Sequence, residues 1–251
     1  MDVDAHLAAL EVDGELLARA AKRAGMDAPV PTCSGWRVKE LLRHIGFVHR
    51  WAATHVAQAS PVLLDGPSEE EILGRGPGDD ELLAWFRTGH ADLVNTLRSA
   101  DADLACWTFL DAPSPLAFWA RRQAHETAIH RADAEAATGP ITAVEPAFAA
   151  DGIDELLVGF APRERPSAAI TRHFAMAIRS IDTGDEWLVT LNTDRVEAHR
   201  GAGLADGVMT GPASDLYLAL WNRQAGDARL SVTGDPRGLK LWRAAMQVRW
   251  N

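Results

Sequence analysis

Apolar positions in the first part of the chain recur every three to four residues. Leu7, Leu10, Leu17 and Ala21 keep that spacing between Val3 and Gly25, which predicts a helix stopped by Gly25, with Asp13-Gly14 as a point where it could kink. Pro29-Val30-Pro31-Thr32-Cys33-Ser34-Gly35-Trp36 reads as a stiff, extended approach with Ser34 as N-cap. A second helix is expected over residues 36–59, with Val38, Leu41, Leu42, Ile45 and Val48 as its stripe. Residues 60–80 are loop-like, rich in Gly and Pro, and carry Glu69-Glu70-Glu71 as a solvated acidic run. A third helix is expected over residues 79–100 and a fourth over residues 116–138, closed by Gly139-Pro140. Four amphipathic helices joined by loops form a helix bundle.

A fifth helical segment, residues 145–160, leads into Ala161-Pro162-Arg163-Glu164-Arg165-Pro166, the best linker candidate. Beyond it the period changes from 3.6 to 2. Phe174, Met176 and Ile178 alternate, Asp182-Thr183-Gly184-Asp185 makes a turn, and Trp187, Val189 and Leu191 alternate again. Short strands follow at residues 196–200 and 208–210. Two helices, residues 214–223 and 236–248, come after strand ends at Thr210-Gly211-Pro212 and Thr233-Gly234-Asp235, the second with Asp235 as N-cap and Pro236 at its first position. The fold class expected is therefore a two-domain α+β protein. Residues 1–160 form a helix bundle with a connecting helix, and residues 161–251 form a small α+β domain.

Composition narrows the partners. The chain has 251 residues, 47% hydrophobic and 24% charged, enough to bury a proper core in one large domain or two small ones. No apolar run approaches the roughly 20 residues that span a bilayer, and Met1-Asp2-Val3-Asp4 lacks the features of a signal peptide. A cytoplasmic location is expected. Cys33 and Cys106 are the two cysteines, too few for a disulfide framework or a Cys-rich metal site. A net charge of −10 argues against nucleic acid or an anionic membrane as partner, and says nothing about the sign of a small substrate.

The chemistry concentrates in Arg121-Arg122-Gln123-Ala124-His125-Glu126-Thr127-Ala128-Ile129-His130-Arg131-Ala132-Asp133. Glu126 and His130 are four residues apart and lie on one helical face, where they can share a divalent metal. A third ligand must come from elsewhere. His125 with Glu126 and His130 spells H-E-x-x-x-H, one residue too long for the zinc-protease motif. His44, in the middle of the second helix, is the better candidate. His55 shares its face but lies about 16 Å along the axis, and His49 points about 140° away. His6, His90, His173 and His199 have no partner pattern and read as exposed or satisfied polar residues. Arg122, one turn before Glu126, fits either a substrate carboxylate or a brace for Glu126, and an ordinary surface arginine fits as well. Asp133, three residues after His130, is placed to orient that imidazole. Trp36, Trp51, Trp85, Trp107 and Trp119 read as packing residues.

Pro31-Thr32-Cys33-Ser34-Gly35-Trp36, Leu41-Leu42-Arg43-His44, Arg122-Gln123-Ala124-His125-Glu126 and His130-Arg131-Ala132-Asp133 together resemble the mycothiol-dependent maleylpyruvate isomerase family. The likeness continues through residues 150–157, 216–223 and 230–235. It implies a DinB-like metal-binding four-helix bundle followed by a small, sterol-carrier-like α+β domain. It also implies metal ligands at His44, Glu126 and His130, with Zn2+ as the expected ion in an open, catalytic type of site. Mycothiol is implied as the thiol cosubstrate, and an active-site arginine in the second domain maps to Arg223, where the helix dipole also favours a cation. The implied activity is thiolate addition to an electrophilic small molecule, giving cis–trans isomerisation of an unsaturated keto acid or S-transfer. Two alternatives stay open: a metal-dependent hydrolase of a thiol conjugate or amide, and a non-catalytic small-molecule or lipid-binding module.

Overall fold

The structure is a computed structural model, and it describes residues 1–64, 76–163, 170–223 and 229–246. Helix α1, Val3–Ala24, is capped by Asp2, whose carboxylate accepts the Ala5 N–H at 2.9 Å. It ends at Gly25, where a φ of 82° suits a residue without Cβ. No break occurs at Asp13-Gly14. Gly14 is instead the point where the His90 ring crosses, and a Cβ there would stand 2.2 Å from His90 Nε2.

Helix α2, Val38–Ala57, starts later than expected. Residues 30–36 close a loop in which the Val30 N–H donates to Trp36 O at 2.9 Å and the Trp36 N–H to Cys33 O at 3.0 Å. Gly35, at φ 82°, turns the chain within that loop, so Ser34 is left outside the helix and caps nothing. Arg37 takes the cap position, its N–H donating to Glu40 Oε2 at 2.9 Å. The acidic run at residues 69–71 lies outside the described residues.

Helix α3, Leu82–Ser99, packs on α2, while α4, Pro115–Ala136, packs chiefly on α1 and also on α2. Ser114 caps α4 and Pro115 opens it, as the sequence chemistry of helix starts requires. Leu17, Ala21, Val38, Leu41, Leu42, Ile45 and Phe86 form one buried cluster in the bundle. Helix α4 departs from the expected amphipathic pattern. It is buried almost all round, and its buried side chains include Arg122, Gln123, His125, Glu126, Thr127, Arg131, Asp133 and Glu135. A helix this polar and this buried must find partners for its polar groups within the protein.

The compact units divide between Thr142 and Ala143, earlier than the expected boundary after residue 160. Helix α5, Pro146–Asp154, packs on the later helix α6, Ala213–Leu220, and the Val144 N–H donates to Ser214 Oγ at 2.9 Å. The connecting helix therefore belongs with the second unit. It runs on as a π-helical turn, Glu155–Phe160, and a 3-10 turn, Ala161–Arg163, so the expected linker starts as helix. Its remainder lies outside the described residues.

Among the described residues five strands make one sheet: β1 Phe174–Ser180, β2 Glu186–Leu191, β3 Val196–Arg200, β4 Gly207–Gly211 and β5 Ser231–Gly234, in the order β3-β2-β1-β4-β5. Only β1 and β4 pair in parallel. Helix α6 and helix α7, Gly238–Ala245, pack on β1 and β4. Asp235 Oδ1 accepts the Arg237 N–H at 3.0 Å, which holds a turn open and delays α7 to Gly238 rather than Pro236. Among the described residues no helix is long and apolar enough to cross a membrane.

Candidate metal centre

The first unit brings together residues that are far apart in sequence. His44 on α2 and Glu126 and His130 on α4 offer ligand atoms that all lie within 4.8 Å of one another. Glu126 Oε1 is 3.2 Å from His130 Nε2 and 3.5 Å from His44 Nε2, and the two rings meet edge to face with centroids 5.0 Å apart. His44 is 4% exposed and Glu126 7%.

Each ligand is held from behind. His130 Nδ1 donates to Asp133 Oδ2 at 2.9 Å, which fixes the ring orientation and turns Nε2 toward Glu126. Asp133, fully buried, also accepts Thr32 Oγ1 at 2.5 Å and the Cys33 thiol at 3.5 Å. The loop before α2 thus braces a ligand on α4, a role that its sequence did not disclose. Arg122, 1% exposed, donates Nη2 to Glu126 Oε2 at 2.9 Å. The indole of Trp36 packs on His44 at 5.1 Å between centroids.

This geometry leaves one atom unaccounted for. Among the described residues Glu126 Oε1 is buried without a hydrogen bond, although two imidazole nitrogens are near it. A buried acceptor left unmade costs about 1–3 kcal/mol. Three donor atoms converging without aligned hydrogen bonds fit a cation among them, and two histidines with one carboxylate suit a zinc-like ion. Electrostatics favour the same thing. Burial opposes ionisation of Glu126, but the two imidazoles and Arg122 hold its pKa well below the ordinary value. Burial likewise opposes a charge on His130, but Asp133 and Glu126 outweigh it and raise its pKa from 6.5 to about 9. The position between the ligands is one where positive charge is stabilised.

The other histidines are engaged differently. His49 Nε2 is 2.9 Å from Thr127 Oγ1, whose hydroxyl donates to Gln123 O at 2.7 Å, so His49 donates. Burial lowers its pKa well below 6.5 and keeps it neutral. His55 is buried beside Trp51, Trp107 and Trp119. His90 and His6 were expected to be exposed or satisfied. His90 packs on His49 and Phe86, and His6, 3% exposed, meets the His125 ring edge at 5.9 Å. His173 and His199 are exposed.

Burial raises the Cys106 thiol pKa, and Cys33 is a thiol donor to Asp133, so neither is set up as a nucleophile. Arg223 lies just past α6 in the second unit, donating Nη1 to Trp221 O at 2.7 Å.

The fold and site define a class: a helical bundle with three convergent candidate cation ligands in its interior, followed by an α+β unit. Known proteins narrow it. The mycothiol maleylpyruvate isomerase N-terminal domain matches residues 7–135, and the C-terminal domain of the same family matches residues 147–240. The chain belongs to the mycothiol maleylpyruvate isomerase family. The crystal structure of a mycothiol-dependent maleylpyruvate isomerase is similar in fold, with a TM-score of 0.66 over 93% of each chain at 11% identity. A mutant of that isomerase gives 0.65 with the same coverage and identity. A ubiquinone synthesis protein, UbiJ-SCP2, is 24% identical over 40% of this chain and 97% of its own, and its TM-score of 0.29 gives it no weight. No curated protein matches the chain.

Proposed function

We propose that the chain is a zinc-dependent, mycothiol-using enzyme acting on a small electrophile. The observation that supports this is the convergence of His44 Nε2, Glu126 Oε1 and His130 Nε2, with Glu126 Oε1 buried and lacking a hydrogen bond among the described residues. When bound there, a divalent cation supplies the charge that keeps an external thiol ionised near neutral pH. His130 presents its Nε2 because Asp133 holds its Nδ1–H. Arg122 occupies Glu126 Oε2 and leaves Oε1 for the ion. His44, Glu126 and His130 would hold such an ion with three protein ligands, the number found where an external ligand can also bind.

The reaction class is thiolate addition. When the sulfur adds to one carbon of a double bond conjugated to a ketone, the electron pair moves toward the ketone oxygen and the carbon–carbon bond becomes single. Rotation and expulsion of the same sulfur re-form the bond trans, so the thiol is regenerated. For the family's keto acid this is cis–trans isomerisation; an electrophile that keeps the sulfur gives S-transfer. Arg223 is proposed as the second unit's active-site arginine. The motif resemblance supports this assignment.

Metal content and thiol-dependent turnover of maleylpyruvate, measured before and after chelation, test the proposal. Chelation should abolish turnover and zinc should restore it. His44→Ala and His130→Ala should mimic chelation, and Arg223→Ala should raise KM without changing metal content. Full turnover in metal-free protein would sink the proposal.

A further inference from the structure

The H-E-x-x-x-H run on α4 contributes Glu126 and His130 to the candidate metal centre and leaves its first member, His125, without a role. His125 lies about 100° from Glu126 and about 140° from His130 around the helix axis, so it leaves α4 toward a different neighbour. That neighbour is α1, the helix on which α4 chiefly packs. His6, in the first turn of α1, is 3% exposed, and His125 is fully buried. Their ligand nitrogens lie within 4.8 Å of each other. The rings meet as those of the first centre do. His44 and His130 cross at 72° with centroids 5.0 Å apart, and His6 and His125 cross at 73° with centroids 5.9 Å apart. An imidazole lone pair lies in the plane of its ring, so two steeply crossed rings can aim nitrogens at one point between them. His49 and His90 meet differently, inclined by 42°, and His49 Nε2 is engaged by Thr127.

We propose that His6 and His125 form a second cation site in the first unit, on another face of α4, for a divalent transition ion. Neutral imidazoles suit such ions, zinc, copper and nickel among them. Two imidazoles bring one ligand fewer than the first centre, so the ion is held less tightly and this site fills second. Its part is structural: the ion ties the start of α1 to the helix that carries Glu126 and His130. This also accounts for a helix that is polar and buried on more than one face, since ligands leave α4 toward α2 and toward α1. The inference stands apart from the thiol chemistry and needs no thiol for its test.

Calorimetric titration of zinc into the metal-free, untagged full chain tests this. Wild type should show two binding events, a tight one and a weaker one. His6→Asn and His125→Asn should each lose the weaker event and keep the tight one, and His44→Ala should do the reverse. His173 and His199 are exposed, and the double variant His173→Asn, His199→Asn should keep both events. Should His125→Asn fail to fold, His6→Asn, altered in the first turn of its helix, decides the matter alone. A single event in wild type would overturn the inference. So would a weaker event that survives in His6→Asn, or one that disappears with the two exposed histidines. A tight event that survives in His44→Ala would instead overturn the reading of the first centre and leave this one standing.

Discussion

Asp133 shows how a single side chain links a loop to a ligand. It fixes the ring of His130 and takes hydrogen bonds from Thr32 and Cys33. Without it the imidazole is free to rotate and to present the wrong nitrogen. Carboxylates behind metal-bound histidines are worth about 10–100-fold in metal affinity. Asp133→Asn should therefore weaken zinc binding by about that factor, read by competition with a chelating indicator. An unchanged affinity would show that His130 is oriented by something else. The pairing between Thr32 and Asp133 spans 101 positions, a separation that no local pattern in the chain encodes.

At the scale of elements, α1 and α3 were legible because each buries one stripe and exposes the other face, and α2 because its apolar stripe of Val38, Leu41, Leu42, Ile45 and Val48 is buried as the spacing predicts. The pair Glu126 and His130 was legible because four-residue spacing on a helix is a geometric fact. Helix α4 was misread as amphipathic because its polar residues are the site and its structural network, such as Arg131 with Asp13 at 3.0 Å and Glu135 at 2.9 Å. Ser34 was misread as a cap because the turn at Gly35 displaces the helix start to Val38. Close helix approach was also hidden. At Gly46 a Cβ would come within 2.2 Å of Trp85 Cζ3, and at Gly89 within 2.2 Å of Arg50 Nη1. Arg50 bridges these points, donating to Gly46 O at 2.9 Å and Trp85 O at 2.7 Å. Gly46→Ala gains about 1 kcal/mol of helix propensity, but overpacking costs about 1–3 kcal/mol. Because the Trp85 ring is pinned under Arg50 at 3.8 Å, it has little room to yield, and overpacking should dominate. Urea denaturation should show Gly46→Ala destabilised by about 1–2 kcal/mol. A stabilised variant would mean that α2 and α3 are free to separate.

For the whole molecule, the decisive point is that all three proposed cation ligands, His44, Glu126 and His130, lie within residues 1–142, the first compact unit. A ligand that binds only the folded form stabilises what it binds by about 4 kcal/mol when present at 1,000 times its Kd. In a unit of this size each kcal/mol is worth roughly 2–4 °C in Tm. Differential scanning calorimetry of the full chain should therefore resolve a metal-sensitive transition and a metal-insensitive one. Chelation should lower the first by roughly 10 °C and leave the second in place, and returning zinc should reverse the shift. The His44→Ala variant should show the lower transition from the start, and zinc should not restore the higher one. If both transitions moved together, or if one transition carried the entire heat and shifted as a whole, the two units would be a single cooperative body. Losing the metal would then cost the α+β unit its stability too, and the division between a cation-binding bundle and an independently stable second unit would have to be given up.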